Sequence, residues 1–372
     1  MKNTNRLLEI DALRGIAAVA IVLFHYASSY KWADYHLYGY FRYLEEFVQI
    51  FFIISGFVIL ISINRLKTSL DFIVGRLARL YPMYLFSVIT TVLIVNIMGM
   101  AAPRTESIYD IIRNCFLVQG FLGGTSVNIV YWTLILELFF YIIMLAIYKL
   151  KAVKYIDIIC GVWIVIVVLN AVKAQLSIAS NIYNIDYSHP MGVAVFPDLL
   201  MLNISAAATS LKDVIKNNYL LLQGRAMLFI SGIMLYQIKM HGGKWYRWAI
   251  ITLCVMAKVL DYSSDAQVYS SIFFIVFLLL MYLATIDKLQ ILAIKPFLFL
   301  GSISYTLYLT HLQVGWLFKS MFDVFPPEIA ILIRASLAVL TASLLTPIIE
   351  IRGMNLIKSQ YQKLMTTKVP SS

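Results

Sequence analysis

The first apolar stretch of the chain contains an arginine and a histidine that lipid alone would not accommodate. Arg14 and His25 are separated by just over three helical turns, so they share one helix face, about 16 Å apart along its axis. A buried arginine costs roughly 2.5 kcal/mol or more and must face protein, water or an anion; Asp11, one turn earlier, is a candidate ion-pair partner. A histidine titrates near neutrality and can act as a general base, although a hydrogen-bonded packing role would also account for His25.

A pair of arginines precedes the third apolar stretch. Arg76 and Arg79 lie in the segment Gly75–Pro82. Side chains three residues apart on a helix point the same way, and two guanidinium groups together can hold a phosphate. Basic residues at the cytoplasmic end of a span also occur as simple membrane anchors. The sequence leaves both interpretations open.

Two later apolar stretches are also interrupted by polar residues. Trp132 begins one of them, as an ordinary interfacial aromatic would, and Glu137 lies deeper, where a carboxylate needs a partner or a task. In the other, Ser304, Tyr308 and His311 follow i, i+4, i+7 spacing. Such spacing predicts a polar stripe on one helix face, which hydrogen bonding between helices would also explain.

The composition indicates that lipid is the main solvent of this chain. Hydrophobic residues make up 61% of its 372 residues and charged residues 13%, against roughly 45–50% and about 25% in soluble domains. The net charge of +11 does not indicate nucleic-acid binding, because the basic residues are not clustered. The three cysteines have no metal-ligand spacing, and we predict no metal site.

The apolar stretches predict an all-α polytopic integral membrane protein with about ten transmembrane helices. A span needs about 20 mostly apolar residues, and more of the Lys and Arg residues fall in inside than outside segments if both termini are cytoplasmic. We expect a transmembrane domain over 1–352, a cytoplasmic tail over 353–372 and a re-entrant or interfacial piece at 191–201. The predicted spans are 8–29, 47–64, 79–98, 130–149, 155–174, 224–239, 247–261, 267–286, 296–318 and 328–350.

In this order, the motifs make the chain resemble the acyltransferase-3 family of membrane acyltransferases, which includes bacterial O-antigen and exopolysaccharide O-acetyltransferases. The pieces that carry the resemblance are Asp11-Ala12-Leu13-Arg14-Gly15 with His25, Phe51-Phe52-Ile53-Ile54-Ser55-Gly56-Phe57, Arg76 and Arg79 with Leu80-Tyr81-Pro82, Trp132 with Glu137 and Tyr141, and Ser304-Tyr305 with Tyr308-Leu309 and His311. Thr133 stands where the family often has serine, and the proline frequent after the final histidine is missing. We expect neither departure to touch the chemistry.

The resemblance implies a multi-pass protein of the bacterial cytoplasmic (inner) membrane that is surrounded by lipid. Its activity would be transfer of an acyl group, usually acetyl, from cytoplasmic acyl-coenzyme A (acetyl-CoA) to a hydroxyl of an envelope sugar or glycan. The chain looks like the stand-alone polysaccharide O-acetyltransferase type, without an added hydrolase-like domain. The longest outside segment, 175–223, would shape the acceptor site.

The resemblance also suggests roles for individual residues. We expect His25 to take the proton from the acceptor hydroxyl, with an acyl-histidine intermediate as a less favoured variant, and Glu137 to orient His25. Arg76 and Arg79 would hold the phosphates of coenzyme A, and Arg14 its pantetheine–phosphate region or the thioester oxygen. Residues expected to support substrate or structure are Asp11, Trp132, Tyr305, Tyr308 and His311.

Two other classes of membrane protein share some of these features. A proton-coupled transporter would also carry intramembrane His, Glu and Arg residues, but no internal repeat is visible in the sequence. A glycan polymerase or flippase is also polytopic, yet it would have no use for a coenzyme A site. The arginine pair at the cytoplasmic side therefore favours the acyltransferase.

Overall fold

In a computed structural model of the protein, the described residues are 7–30, 35–66, 68–98, 108–119, 125–183, 222, 224–260 and 265–366. Regular structure within them is helical throughout, with no strand. The helices are α1 (Leu8–Ser28), α2 (Tyr35–Phe41), α3 (Val48–Ile63), α4 (Ser69–Ile97), α5 (Ile108–Cys115), α6 (Trp132–Lys149), α7 (Ile156–Tyr183), α8 (Ala226–His241), α9 (Trp245–Leu260), α10 (Asp265–Thr285), α11 (Lys295–Phe322), α12 (Pro327–Leu345) and α13 (Arg352–Thr366).

Every predicted span coincides with one of these helices, but not every helix is long and apolar enough to cross a membrane. Within the described residues, 7 segments meet both requirements: Leu8–Ser28, Leu37–Ile63, Ser69–Ile97, Ile129–Lys149, Val153–Lys173, Val268–Thr285 and Pro327–Thr366. Helices α8 and α9 have only 16 residues each, fewer than the roughly 20 that a crossing takes. Helix α11 has 28 residues but does not meet the apolarity requirement. The all-helical polytopic class is confirmed, whereas ten spans with two cytoplasmic termini stay a prediction. The interfacial piece at 191–201 and most of segment 175–223 lie outside the described residues.

Helix α4 begins ten residues before the predicted span. The Thr68 hydroxyl accepts a hydrogen bond from the Asp71 backbone N–H (3.1 Å), and the Asp71 carboxylate accepts one from the Thr68 N–H (2.7 Å). This reciprocal capping box satisfies the free backbone N–H groups at the helix N-terminus with polar side chains. Hydropathy does not detect such an end, so it placed the start of the helix too late. Arg76 and Arg79 consequently lie within the helix and not at its edge.

Helices α1 and α11 touch backbone to backbone at two glycines. A Cβ on Gly301 would lie 2.1 Å from the Asp11 carbonyl oxygen, and one on Gly15 would lie 2.5 Å from the Gly301 nitrogen. Gly56 of α3 and Gly232 of α8 make an equally close crossing. Small residues allow helices in a membrane to approach this closely, so the neighbouring polar side chains of α1 and α11 are held together.

The C-terminal helix packs on the bundle. A π-helical turn, Thr346–Ile351, joins α12 to α13, and the Tyr361 hydroxyl of α13 donates a hydrogen bond to the Asp71 carboxylate of α4 (2.8 Å). Gly353 approaches the Pro82 ring so closely that a Cβ there would lie 2.4 Å from it. The described part of the predicted tail is therefore an ordered helix that lies against the start of α4.

Candidate functional site

Two adjoining cavities lie inside the helix bundle. The first, of about 430 Å³, is lined mainly by apolar side chains of α1, α3, α6 and α11, and we call it the apolar cavity. The second, of about 490 Å³, is lined mainly by charged and polar side chains of α1, α4, α11 and α13, and we call it the polar cavity. The residues common to both linings are Asp11, Arg14, Arg76, Arg79 and Tyr305. The cavities therefore meet at Arg14, Arg76 and Arg79, which were predicted to lie on two separate helices.

The two cavities offer different chemistry to a ligand. Apolar side chains such as Phe51, Ile54 and Val58 contribute to the apolar cavity, whose lining also includes Arg65 and Glu137 besides the residues shared with the polar cavity. Its apolar side suits a slender, largely neutral group, oriented by polar contacts. Glu350 and Lys358 add to the arginines of the polar cavity, whose concentrated charge suits a highly polar ligand end.

The arginines at the junction differ in how firmly they are held. The Arg76 guanidinium donates hydrogen bonds to the hydroxyls of Ser62 and, at 3.5 Å, Tyr141. Arg14 lies 3.9 Å from the Asp11 carboxylate, which is the ion pair that the sequence had offered as its structural role. Arg79 makes no hydrogen bond or salt bridge to another described residue, although it lines both cavities. Arg79 is thus the cation most open to an anionic ligand.

Glu137 faces the apolar cavity and is held by neighbours on α3 and α6. The Ser55 hydroxyl donates to its carboxylate at 3.2 Å, and the Tyr141 hydroxyl donates a second hydrogen bond. Together with Arg76 this forms a chain from guanidinium to tyrosine to carboxylate. Among the described residues Glu137 makes no hydrogen bond to His25, whose ring lies beside His311, so the orienting role of Glu137 stays a prediction.

The partner of His25 is His311. Their ring centroids are 5.1 Å apart and their planes are inclined by 36°. The His311 Nδ1 atom lies 3.2 Å from the Leu307 carbonyl oxygen; a carbonyl only accepts, so Nδ1 carries the proton when the ring is neutral. The buried Nε2 atom then keeps its lone pair, and it has no hydrogen-bond partner within the described part of the chain.

The histidine pair lies just beyond the apolar cavity and not in its lining. Tyr308 lines that cavity, and its ring centroid is 6.1 Å from that of His311. Its hydroxyl shares a hydrogen bond with Thr133 (2.9 Å), which also lines the cavity. Thr133 therefore helps to hold the tyrosine that lies between the cavity and the histidines, and the expectation that its departure from serine leaves the chemistry unchanged stays a prediction.

The remaining predicted residues contribute in different ways. Ser304, Tyr308 and His311 are all buried, so the predicted polar stripe faces the interior. The Tyr305 hydroxyl donates to the Leu80 carbonyl of α4 at 2.8 Å, at the edge of both cavities. Trp132 lines neither cavity; its ring lies against Phe52 at 5.9 Å between centroids.

Sequence reasoning missed Arg65, which lines the apolar cavity, and three further charged residues. Glu350 ends the tenth predicted span, where an acidic residue in an apolar stretch was itself a signal, and Lys358 was assigned to the tail. Arg334 of α12 is only 1% exposed and lies 4.9 Å from the ring of Tyr26. Because the Tyr26 hydroxyl donates to the His311 carbonyl at 2.6 Å, Arg334 supports the helix contact that carries the histidine pair.

The fold and these cavities define an integral membrane protein with a charged internal site. The chain belongs to the acyltransferase-3 family, whose sequence profile, described as an acyltransferase domain, matches residues 7–348. The resemblance seen in the motifs is thereby confirmed, and the protein is a membrane acyltransferase. Comparisons with curated proteins and with solved structures gave no match.

Proposed function

We propose that the protein transfers an acyl group, in the simplest case acetyl, from a cytoplasmic acyl-coenzyme A to a hydroxyl of an envelope or exported sugar. The observation that carries the proposal is the joining of a polar and an apolar cavity at Arg14, Arg76 and Arg79. Coenzyme A has the same polarity pattern, with phosphates at one end and a slender, neutral pantetheine arm at the other. Each cavity therefore suits one half of the donor molecule.

The described residues offer suitable groups for each part of the donor. Guanidinium groups bind phosphates through several directed hydrogen bonds, so Arg14 and Arg79 would hold the diphosphate, with Arg76 braced behind them by Tyr141. The arm would then occupy the apolar cavity, where the hydroxyl oxygens of Ser55 and Thr133 could accept hydrogen bonds from its amide N–H groups. Its thioester would lie at the Tyr308 end, next to the histidine pair.

In this proposal His25 acts as the general base. Its side chain is partly exposed whereas His311 is fully buried, so an acceptor hydroxyl can reach His25 first. The hydroxyl oxygen attacks the thioester carbonyl carbon, the carbon–sulfur bond breaks, and an ester and a thiol result. His25 takes the proton from the hydroxyl and returns it to the leaving sulfur, which balances the step.

His311 would act as a positioning residue for His25. The His311 Nδ1–H group donates a hydrogen bond to the Leu307 carbonyl. The Nε2 atom is then left as an acceptor beside the His25 ring. A hydrogen bond from the His25 ring to this acceptor would fix the tautomer and orientation of His25, as carboxylates do in other general-base sites. His311 would then take the role that the sequence had suggested for Glu137.

The proposal places the polar cavity at the cytoplasmic side of the bacterial cytoplasmic membrane. Asp11 at the start of the chain and Lys358 near its end both line this cavity, so the two ends of the described chain lie at the same end of the bundle. That arrangement supports two termini on one side, as in the predicted ten-span scheme. The donor would enter there and the acceptor sugar from the opposite side.

Purified protein tests the proposal directly. Wild-type protein should bind acetyl-CoA, and cells that carry it should show acetylated envelope glycans by mass spectrometry. His25→Ala should abolish acetyl transfer while the dissociation constant for acetyl-CoA stays within about twofold. Full transfer by His25→Ala would refute the base assignment. Uptake of labelled substrate by proteoliposomes without acyl transfer would instead favour a transporter.

A further inference from the structure

We infer that the C-terminal helix α13 completes the donor site and that Lys358 binds the 3′-phosphate of coenzyme A. The inference rests on the proposed use of acyl-coenzyme A. It assigns donor recognition to a residue ten positions beyond the part of the chain that matches the family, which ends at 348.

Helix α13 is fixed in place by contacts with the same helix that carries the arginine pair. Tyr361 donates to the Asp71 carboxylate, and that carboxylate also caps the start of α4 through the Thr68 N–H. Gly353 meets the ring of Pro82, three residues after Arg79. Lys358 lies between these two anchors, so its position relative to the arginines is set by packing and not by a loose tail.

The position of Lys358 follows the order of groups in the donor. Arg14 and Arg79 lie where the two cavities meet, whereas Lys358 and Met354 line the polar cavity alone. In coenzyme A the diphosphate follows the pantetheine arm, and the ribose 3′-phosphate lies beyond it. If the arm occupies the apolar cavity and the diphosphate the junction, then the 3′-phosphate reaches the wall of the polar cavity that α13 forms.

The charges around Lys358 are compatible with an anion. Lys358 makes no salt bridge or hydrogen bond to another residue in the described ranges, and it is exposed to the cavity. The acidic residues of the same cavity are engaged elsewhere: Asp71 with Tyr361, Glu350 with the Thr306 hydroxyl (2.6 Å), and Asp11 with Arg14 (3.9 Å). A lysine ammonium is a point charge that binds a terminal phosphate without requiring a fixed orientation.

The test compares two donors that differ only at the proposed contact. Acetyl-CoA and acetyl-3′-dephospho-CoA are titrated into wild-type protein, Lys358→Gln, Lys358→Arg and the control Lys363→Gln, an exposed lysine of the same helix that lines neither cavity. We expect wild type to bind acetyl-CoA about tenfold more tightly than the dephospho form, as one charge-assisted hydrogen bond allows. Lys358→Gln should lose this preference by weakening acetyl-CoA binding alone, whereas Lys358→Arg and Lys363→Gln should keep it.

The outcomes separate this inference from the proposed function. A Lys358→Gln protein that still prefers acetyl-CoA as wild type does would overturn the role of Lys358 and leave the donor intact. Equal weakening for both donors would also overturn it, because the lysine would then act on the general charge of the cavity. Failure of wild type to bind either donor would overturn the proposed function, and this inference with it.

Discussion

The imidazole of His25 lies 5.1 Å from that of His311, centroid to centroid, across the interface of α1 and α11. His311 is held through both its side chain and its backbone: its Nδ1 contacts the Leu307 carbonyl, and its own carbonyl accepts a hydrogen bond from the Tyr26 hydroxyl. The His25 ring is less buried and has no hydrogen bond to another described residue. One histidine of the pair is therefore fixed, and the other is available for chemistry.

This division of roles predicts different consequences for substitutions of His311. His311→Asn retains a donor for the Leu307 carbonyl but removes the Nε2 acceptor. We expect kcat for acetyl transfer to fall about 100-fold, the lower end of the usual contribution of acid–base groups, with little change in KM for acetyl-CoA. The pH dependence of kcat should change shape, which a purely structural role would not produce. An unchanged kcat and pH profile would rule out the positioning role.

The two arginines of α4 should be separable by experiment. Arg79→Gln should raise the dissociation constant for acetyl-CoA about tenfold, the value of one charged hydrogen bond, without changing thermal stability. Arg76→Gln should weaken binding and also lower the melting temperature, because Ser62 and Tyr141 lose their partner. Calorimetric titration and thermal unfolding in the same detergent distinguish the two. Identical behaviour of both variants would contradict the asymmetry.

The glycine contact between α1 and α11 should be intolerant of a single methyl group. Gly301→Ala would place a Cβ 2.1 Å from the Asp11 carbonyl, so the helices must separate. We expect a loss of about 1–3 kcal/mol of stability, as in other overpacked sites, and loss of transfer because Arg14 and the histidines move apart. Gly75→Ala is the matched control, since a Cβ there meets nothing within 4 Å. Equal thermal stability of the two variants would contradict the packing argument.

The junction of α11 and α12 should make stability depend on pH. Partial burial opposes ionisation of Asp323, yet hydrogen bonds from Lys319 (2.7 Å) and Tyr30 (2.6 Å) lower the pKa of its carboxyl below the usual value. A carboxyl with a lowered folded-state pKa stabilises the protein above its unfolded-state pKa, and this stabilisation is lost as the pH falls through the folded-state value. Asp323→Asn should therefore lower the melting temperature at neutral pH and match wild type at the acid end. Parallel curves for the two proteins over the whole pH range would contradict this.

The hydrogen bond between Tyr30 and Asp323 also affects the pKa of Tyr30. Burial and the hydrogen bond to Asp323 raise the pKa of Tyr30 to about 12. Tyr30 consequently stays protonated at any pH at which the protein would be assayed, and it remains a donor to the carboxylate. Tyr30 therefore does not contribute to the acid limb of the stability curve.

Much of the fold follows from local properties of the sequence. In lipid the backbone must satisfy its own hydrogen bonds, which long apolar helices do. Composition and hydropathy therefore predict the all-helical class and the approximate position of each helix. The same argument singles out Arg14, His25 and Glu137, because an ionisable group in an apolar stretch is costly unless it has a partner or a function. The order of the motifs is equally local, and it carried the assignment to the acyltransferase-3 family.

Which polar groups meet could be decided only by the tertiary structure. Hydropathy does not encode how far one helix is rotated or shifted against another, and here that register depends on close contacts such as that of Gly15 with Gly301. These contacts bring His25 to His311. Tertiary packing also makes the segment predicted to be a tail part of the lining of the polar cavity. Helix α13 is held on α4 by contacts such as that of Tyr361 with Asp71, and hydropathy gives no indication of these contacts.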